Sequence, residues 1–194
     1  MSLPSFHPLS WAELQRIVFV LAQEVLDEHR AQPFDRICSI SRGGLVVARM
    51  LSDTLNLPIS NFTIVSYSGI NQAGEPLVKE ELGVAINGER ILLVDEIVDS
   101  GATLEKAIQY LTALSPKEIK TAVAVFKPRS SFKPEYFGLE SFDWVVFPYE
   151  VKETVEQLWP MLQAIGESKE QARARFISFG FPEDQVTHWL SSLE

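Results

Sequence analysis

The chain of 194 residues holds a single cysteine, Cys38, and so cannot close an internal disulfide. A reducing compartment follows. Cys38 lies in the apolar run Ile37 to Ile40 with no neighbour in sequence that would draw out a thiolate, so packing rather than nucleophilic chemistry is expected of it. Histidine is scarce too. His7, His29 and His188 are too scattered to suggest a metal site. The longest apolar run near the N-terminus, Ile17 to Ala22, falls far short of the ~18 residues of a spanning helix, and no basic segment precedes it as in a leader peptide. Basic residues are outnumbered, 17 Lys and Arg against 26 Asp and Glu, and the net charge of -9 argues against a nucleic-acid partner. These absences predict a soluble, cytoplasmic protein with neither membrane nor nucleic acid as partner. The 46% of hydrophobic residues suffices for one sizeable core, most simply one domain with appendages.

The stretch Ile91 to Leu104, Ile-Leu-Leu-Val-Asp-Glu-Ile-Val-Asp-Ser-Gly-Ala-Thr-Leu, carries the strongest chemical signal. Ile91 to Val94 is an unalternated apolar run of the kind that forms a parallel strand buried on both faces, and ligands of open α/β sheets bind at the carboxyl ends of such strands. Ser100, Gly101, Ala102 and Thr103 are small enough for a phosphate to reach the backbone, and the helix that follows offers amide groups and the positive end of its dipole. Asp95, Glu96 and Asp99 would repel a phosphate unless they have other work: accepting hydrogen bonds from a sugar diol, or holding a divalent cation. The segment lacks the Gly-Lys-Ser/Thr of the nucleoside-triphosphate loop and the Gly-x-Gly-x-x-Gly of the dinucleotide fold.

Elsewhere the pattern alternates strand and helix. Ser10 and Glu13 form a Ser-x-x-Glu capping box for a helix reaching about His29. Strands are expected at Arg36 to Ile40, Phe62 to Tyr67, Leu82 to Ile86, Ile91 onward, Ile119 to Phe126 and Asp143 to Phe147, with loops at Ser68 to Glu81 and Lys127 to Leu139. Helices are expected after the Ser41-Arg42-Gly43-Gly44 turn, through about Leu55, and from Leu104. Beyond Val151 the pattern is helical only, at Val151 to Ile165, Ser168 to Ser178 and Pro182 to Leu193. Such alternation predicts an α/β fold with a mostly parallel sheet flanked by helices.

Val94 to Leu104 resembles the phosphoribosyl-pyrophosphate motif of the type I phosphoribosyltransferases. Ser41-Arg42-Gly43-Gly44-Leu45 resembles the pyrophosphate loop of their xanthine-guanine and hypoxanthine members. The match spans about residues 10 to 150. It implies a twisted parallel sheet with a flexible hood loop at about residues 66–82, a phosphoribosyltransferase domain at 1–150 and a helical extension at 151–194. It also implies transfer of ribose 5-phosphate from phosphoribosyl pyrophosphate to a 6-oxopurine (xanthine, guanine or hypoxanthine) with Mg²⁺.

By the same resemblance, Asp95 and Glu96 hold ribose or Mg²⁺, and Asp99, Ser100, Gly101, Ala102 and Thr103 cradle the 5′-phosphate. Asp99 doubles as the catalytic acid or base. Ser41, Arg42 and Gly43 bind pyrophosphate; Lys127, Trp144 and Val145 meet the base; Ser66 and Tyr67 stand at the foot of the hood. A homo-oligomer, dimer or tetramer, is implied as well. Two positions depart from the family pattern: Glu96 replaces the commoner second Asp, and Tyr149 follows Pro148 where Trp is frequent. Two other readings stay open: a regulator of the same fold that senses phosphoribosyl pyrophosphate, and a transferase for a different base. Lys127 and Trp144 discriminate against the latter.

Overall fold

The computed structural model describes residues 5–65, 68–69, 72–73 and 75–193. In chain order the elements are β1 (Phe6–Pro8), α1 (Trp11–Ala31), β2 (Arg36–Ser41), α2 (Gly44–Leu55), β3 (Ile59–Val65), β4 (Ser68–Gly69), β5 (Gln72–Ala73), β6 (Leu77–Glu80), β7 (Arg90–Val98), α3 (Ala102–Ala113), β8 (Glu118–Phe126), β9 (Tyr136–Glu140), β10 (Trp144–Val146), α4 (Val151–Ala164), α5 (Lys169–Ser178) and α6 (Glu183–Ser192). The chain divides into two compact units, residues 15–142 and residues 1–14 with 143–194.

The larger unit is a six-stranded sheet in the order β6-β3-β2-β7-β8-β9. All its pairings are parallel except that of β6 with β3. The apolar runs account for its centre. Ile91 through Val94 of β7 and Ala122 through Val125 of β8 are fully buried, as strands covered on both faces must be. Each large aliphatic side chain so buried contributes roughly 1.5–3 kcal/mol. Cys38 belongs to this core, and burial pushes its thiol up to about 12, which removes the thiolate needed for nucleophilic chemistry. The amino end of β7 is fixed by Arg90, whose guanidinium meets Glu118 at 2.7 Å and Glu28 at 3.0 Å and lies over the Phe34 ring. This satisfied charge cluster stands at the opposite end of β7 from the motif residues.

The smaller unit pairs β1 with β10 in parallel and packs α4, α5 and α6 around Val155, Trp159, Phe176, Phe181 and Val186. The capping box expected at Ser10 forms, and the structure adds a second at Ser168. Ser10 Oγ accepts from the Glu13 amide while Glu13 Oε2 accepts from the Ser10 amide, and Ser168 does the same with Gln171.

Three local expectations are corrected. The strand expected at Leu82 to Ile86 lies earlier, at Leu77–Glu80, where it pairs with the exposed flank of β3. Leu82 and Ile86 instead pack as loop residues, the Leu82 amide donating to Tyr110 Oη and Ile86 filling the core. The expected loop Lys127 to Leu139 contains β9, added in parallel to β8. Finally, β7 does not stop at the carboxylates but pairs with β8 through Val98, so Asp95 and Glu96 are strand residues.

Candidate active site

Strands β2 and β7 are neighbours, so the turns that follow them meet at one edge of the sheet. Between them lies a cavity of about 270 Å³, lined by Ser41 and Arg42 from the first turn, Asp95 through Gly101 from the second, and Thr103 and Leu104 at the start of α3, with Ile40 and Ile64 as apolar walls. Eight of the expected site residues line it: Ser41, Arg42, Asp95, Glu96, Asp99, Ser100, Gly101 and Thr103.

The first turn follows from its small residues. The Ser41–Arg42 peptide is cis, and Ser41 Oγ accepts from Asn61 Nδ2 at 3.1 Å. Gly43 leaves room for the Glu96 carboxylate, which any β-carbon there would strike. Gly44, the first residue of α2, is pressed on the β7 backbone: a β-carbon would stand 2.9 Å from the Val94 carbonyl oxygen and 3.1 Å from Asp95 Cα. Glycine is therefore a packing requirement at position 44, while at 43 it makes room for the end of the flexible Glu96 side chain, and together the two let loops distant in sequence touch.

The two acids of β7 are electrostatically uncomfortable. Asp95 is buried, and its Oδ1 accepts from the Glu96 amide at 3.0 Å. Burial, followed by the neighbouring Glu96 charge, pushes the Asp95 carboxyl well above its usual range. Glu96 Oε2 is buried and has no hydrogen-bond partner in the structure. Among the described residues no group of three or more His, Cys, Asp or Glu side chains gathers as a metal site.

In the second turn, Gly101 caps α3 with φ of 97°, a left-handed conformation natural to glycine, and contributes no side chain to the exposed amides of the first helical turn. A β-carbon on Gly101 would meet Phe132 and Ser130 Oγ at 2.9 Å. The segment after β8 thus sits directly on the phosphate-type loop. Ser131 reinforces the contact, donating from both its amide and its hydroxyl to the Ser100 carbonyl at 3.1 and 2.9 Å.

Arg129 completes this junction. Its Nε donates to Asp99 Oδ1 and its Nη2 to Asp99 Oδ2, each at 2.7 Å. Reasoning from sequence missed Arg129, although the Lys-Pro-Arg step directly after a buried strand was a visible signal. Lys127 is buried at the end of β8, its amide donating to the Val98 carbonyl at 3.0 Å. Gly43 stands behind Glu96, and Ala102 begins α3. Trp144, half exposed, and Val145, buried, lie on β10 in the smaller unit. Ser66 and Tyr67 lie outside the described residues.

A strand, two acids, a glycine-capped helix and a second small-residue turn share one cavity, and a family profile described as the phosphoribosyl transferase domain matches residues 10–154. The chain belongs to the phosphoribosyltransferase family. It is similar to the xanthine-guanine phosphoribosyltransferase of Gluconobacter oxydans, with 30% identity over 145 residues covering 73% of this chain and 83% of that protein. Its likeness to the enzyme of the same name from Idiomarina loihiensis is 31% over 146 residues, covering 74% and 86%. Among solved structures it resembles the purine phosphoribosyltransferase of Pyrococcus horikoshii, at a TM-score of 0.67 and 30% identity over 75% of this chain and 94% of that one. This phosphoribosyltransferase is therefore an enzyme of the glycosyltransferase class, with the α/β architecture its sequence predicts.

Proposed function

We propose that the protein transfers ribose 5-phosphate from phosphoribosyl pyrophosphate to a 6-oxopurine, releasing pyrophosphate, in purine salvage. The observation that carries this reading is the convergence of Ser41 and Arg42 with Asp95 through Gly101 and Thr103 on one cavity. The purine specificity is supported by the names of the relatives and by Lys127 at the end of β8.

The reaction displaces pyrophosphate from C1 of the donor by a purine nitrogen, through an oxocarbenium-like transition state. Ser100 to Thr103, at the start of α3, bind the 5′-phosphate through amides, hydroxyls and the helix dipole. Arg42 and the Gly43 amide stabilise the departing pyrophosphate; a guanidinium can meet two of its oxygens at once. Asp99 exchanges the proton of the base imidazole, a role worth about 10²–10⁴-fold in rate. Lys127 donates to the exocyclic oxygen of the base, Trp144 offers its ring, and Val145 its backbone. Ser66 and Tyr67 are assigned to contact with the donor.

Mg²⁺ fits the acids of β7. A buried carboxyl whose pKa is pushed up by burial and by the neighbouring Glu96 charge, beside a buried carboxylate oxygen without a partner, is the arrangement a divalent cation relieves. Asp95 and Glu96 would hold it. When bound, the cation supplies charge neutralisation at the donor diphosphate. The reaction belongs to residues 1–150, with 151–194 an extension that lends it no residue. We assign the enzyme to the cytoplasm as a dimer or tetramer, a reading supported by the single, buried Cys38 and by the exposed Phe19 and Val20 on α1.

The test of the assigned chemistry is Asp99→Asn. It should lose most turnover while still binding phosphoribosyl pyrophosphate with Mg²⁺ in calorimetry. Near-normal turnover would remove Asp99 from the mechanism.

A further inference from the structure

We propose that Arg129 is a positioning residue for the transfer, fixing the Asp99 carboxylate in the orientation from which it meets the base imidazole. The proposal rests on the reading of Asp99 as the proton-exchanging group. Three observations carry it.

The first is the geometry of the pair. Arg129 approaches side-on, with Nε at 2.7 Å from Oδ1 and Nη2 at 2.7 Å from Oδ2, the forked arrangement that fixes a carboxylate plane. Each carboxylate oxygen can accept more than one hydrogen bond, so Asp99 keeps acceptor capacity for an incoming N–H.

The second is exposure. The side chains of Arg129 and Asp99 remain 68% and 51% exposed, and pairs so open to water add little to stability. Orientation, not folding, is what this contact supplies.

The third is where Arg129 stands. It lies two residues beyond Lys127 in a turn closed by the Ser130 amide on the Lys127 carbonyl at 2.9 Å, and Ser131 anchors that turn on Ser100. A single short turn therefore carries Lys127, assigned to the exocyclic oxygen of the base, and grips Asp99, assigned to its imidazole edge. Arg129 sets the separation of the two groups assigned to one purine. A lysine in its place would offer a point charge to one oxygen and leave the plane free to rotate.

The experiment is steady-state kinetics on the full chain for wild type, Arg129→Gln, Arg129→Lys, Asp99→Asn and the double variant Arg129→Gln/Asp99→Asn, with calorimetric donor binding alongside. Arg129→Gln should lower kcat about 10- to 100-fold, the scale of a misplaced catalytic group, with donor affinity within about twofold of wild type. Arg129→Lys should recover only part of the loss, and guanidinium ion added to Arg129→Gln should restore activity that it does not restore to Asp99→Asn. In the Asp99→Asn background the Arg129→Gln change should cost less than about threefold, since residues acting as a unit are not additive. Equal losses in both backgrounds would overturn the proposal, as would normal turnover by Arg129→Gln when Asp99→Asn is inactive. If the wild type transfers to no base, the proposal falls together with the functional reading on which it rests.

Discussion

The Glu96 carboxylate fills the space that a β-carbon on Gly43 would occupy. One contact thereby joins the turn assigned to pyrophosphate to the acid pair assigned to the cation and ribose. Glu96 reaches it with a side chain one methylene longer than an aspartate's.

The neighbouring glycines should respond differently to the same added methyl group. At Gly43 the obstacle is the far end of a flexible side chain, so Gly43→Ala should fold with near-normal stability but displace Glu96 and weaken donor binding. At Gly44 the obstacle is the β7 backbone, which cannot swing aside, so Gly44→Ala should cost about 1–3 kcal/mol of stability. Urea titration and donor calorimetry on the two variants separate these outcomes; equal stability losses would contradict the distinction.

Asp95 should be a stability liability in the absence of ligand. Its carboxyl is pushed up by burial and by Glu96, so the folded chain keeps a proton that the unfolded chain releases near pH 4. Stability from this group is fully present below the unfolded value and is lost as pH rises through the folded one. Asp95→Asn should remove that loss, raising Tm at pH 7 by about 2–4 °C for about 1 kcal/mol, and should abolish transfer. A lowered Tm at pH 7 with unchanged pH dependence would refute this account of the pair.

Gly101 joins a left-handed backbone to a tight contact with Phe132 and Ser130. Gly101→Ala should therefore destabilise the chain by about 1–3 kcal/mol and weaken donor affinity together, because one turn supports both. Chemical denaturation and donor calorimetry read the two effects, and a stable variant with intact donor binding would contradict the assignment.

Lys127 is buried at the end of β8, and the proposal gives it the base and not the donor. Lys127→Ala should raise the KM for the base about 30-fold, the loss of one charged hydrogen bond of about 2 kcal/mol, with donor affinity unchanged. A donor defect of the same size would reassign it.

The centre of the fold and most of the residues that line the cavity between the turns after β2 and β7 were legible in the sequence because both are local signals. Ile91 to Val94 reads as a buried strand from its unalternated apolar run, Ile119 to Phe126 reads as a strand, and Ser100 to Thr103 read as a phosphate turn from their small size and the helix that follows. The edges were not legible. β1 has three residues, one of them proline, and β6 and β9 are half-exposed segments whose pairing is decided by the strands they meet rather than by their own pattern. Arg129 was hidden for a related reason: its partner Asp99 is 30 residues away, and only the packing of the post-β8 turn on Ser100 and Gly101 brings them together.

The central claim is most directly tested by pyrophosphate release from phosphoribosyl pyrophosphate and Mg²⁺ with xanthine, guanine, hypoxanthine, adenine, uracil and orotate supplied separately, with nucleotide formation followed in the same samples. Stoichiometric release and nucleotide with one or more of the three 6-oxopurines, and none with the other bases, is the predicted result. Release with a pyrimidine alone, or with no base at all, would contradict it.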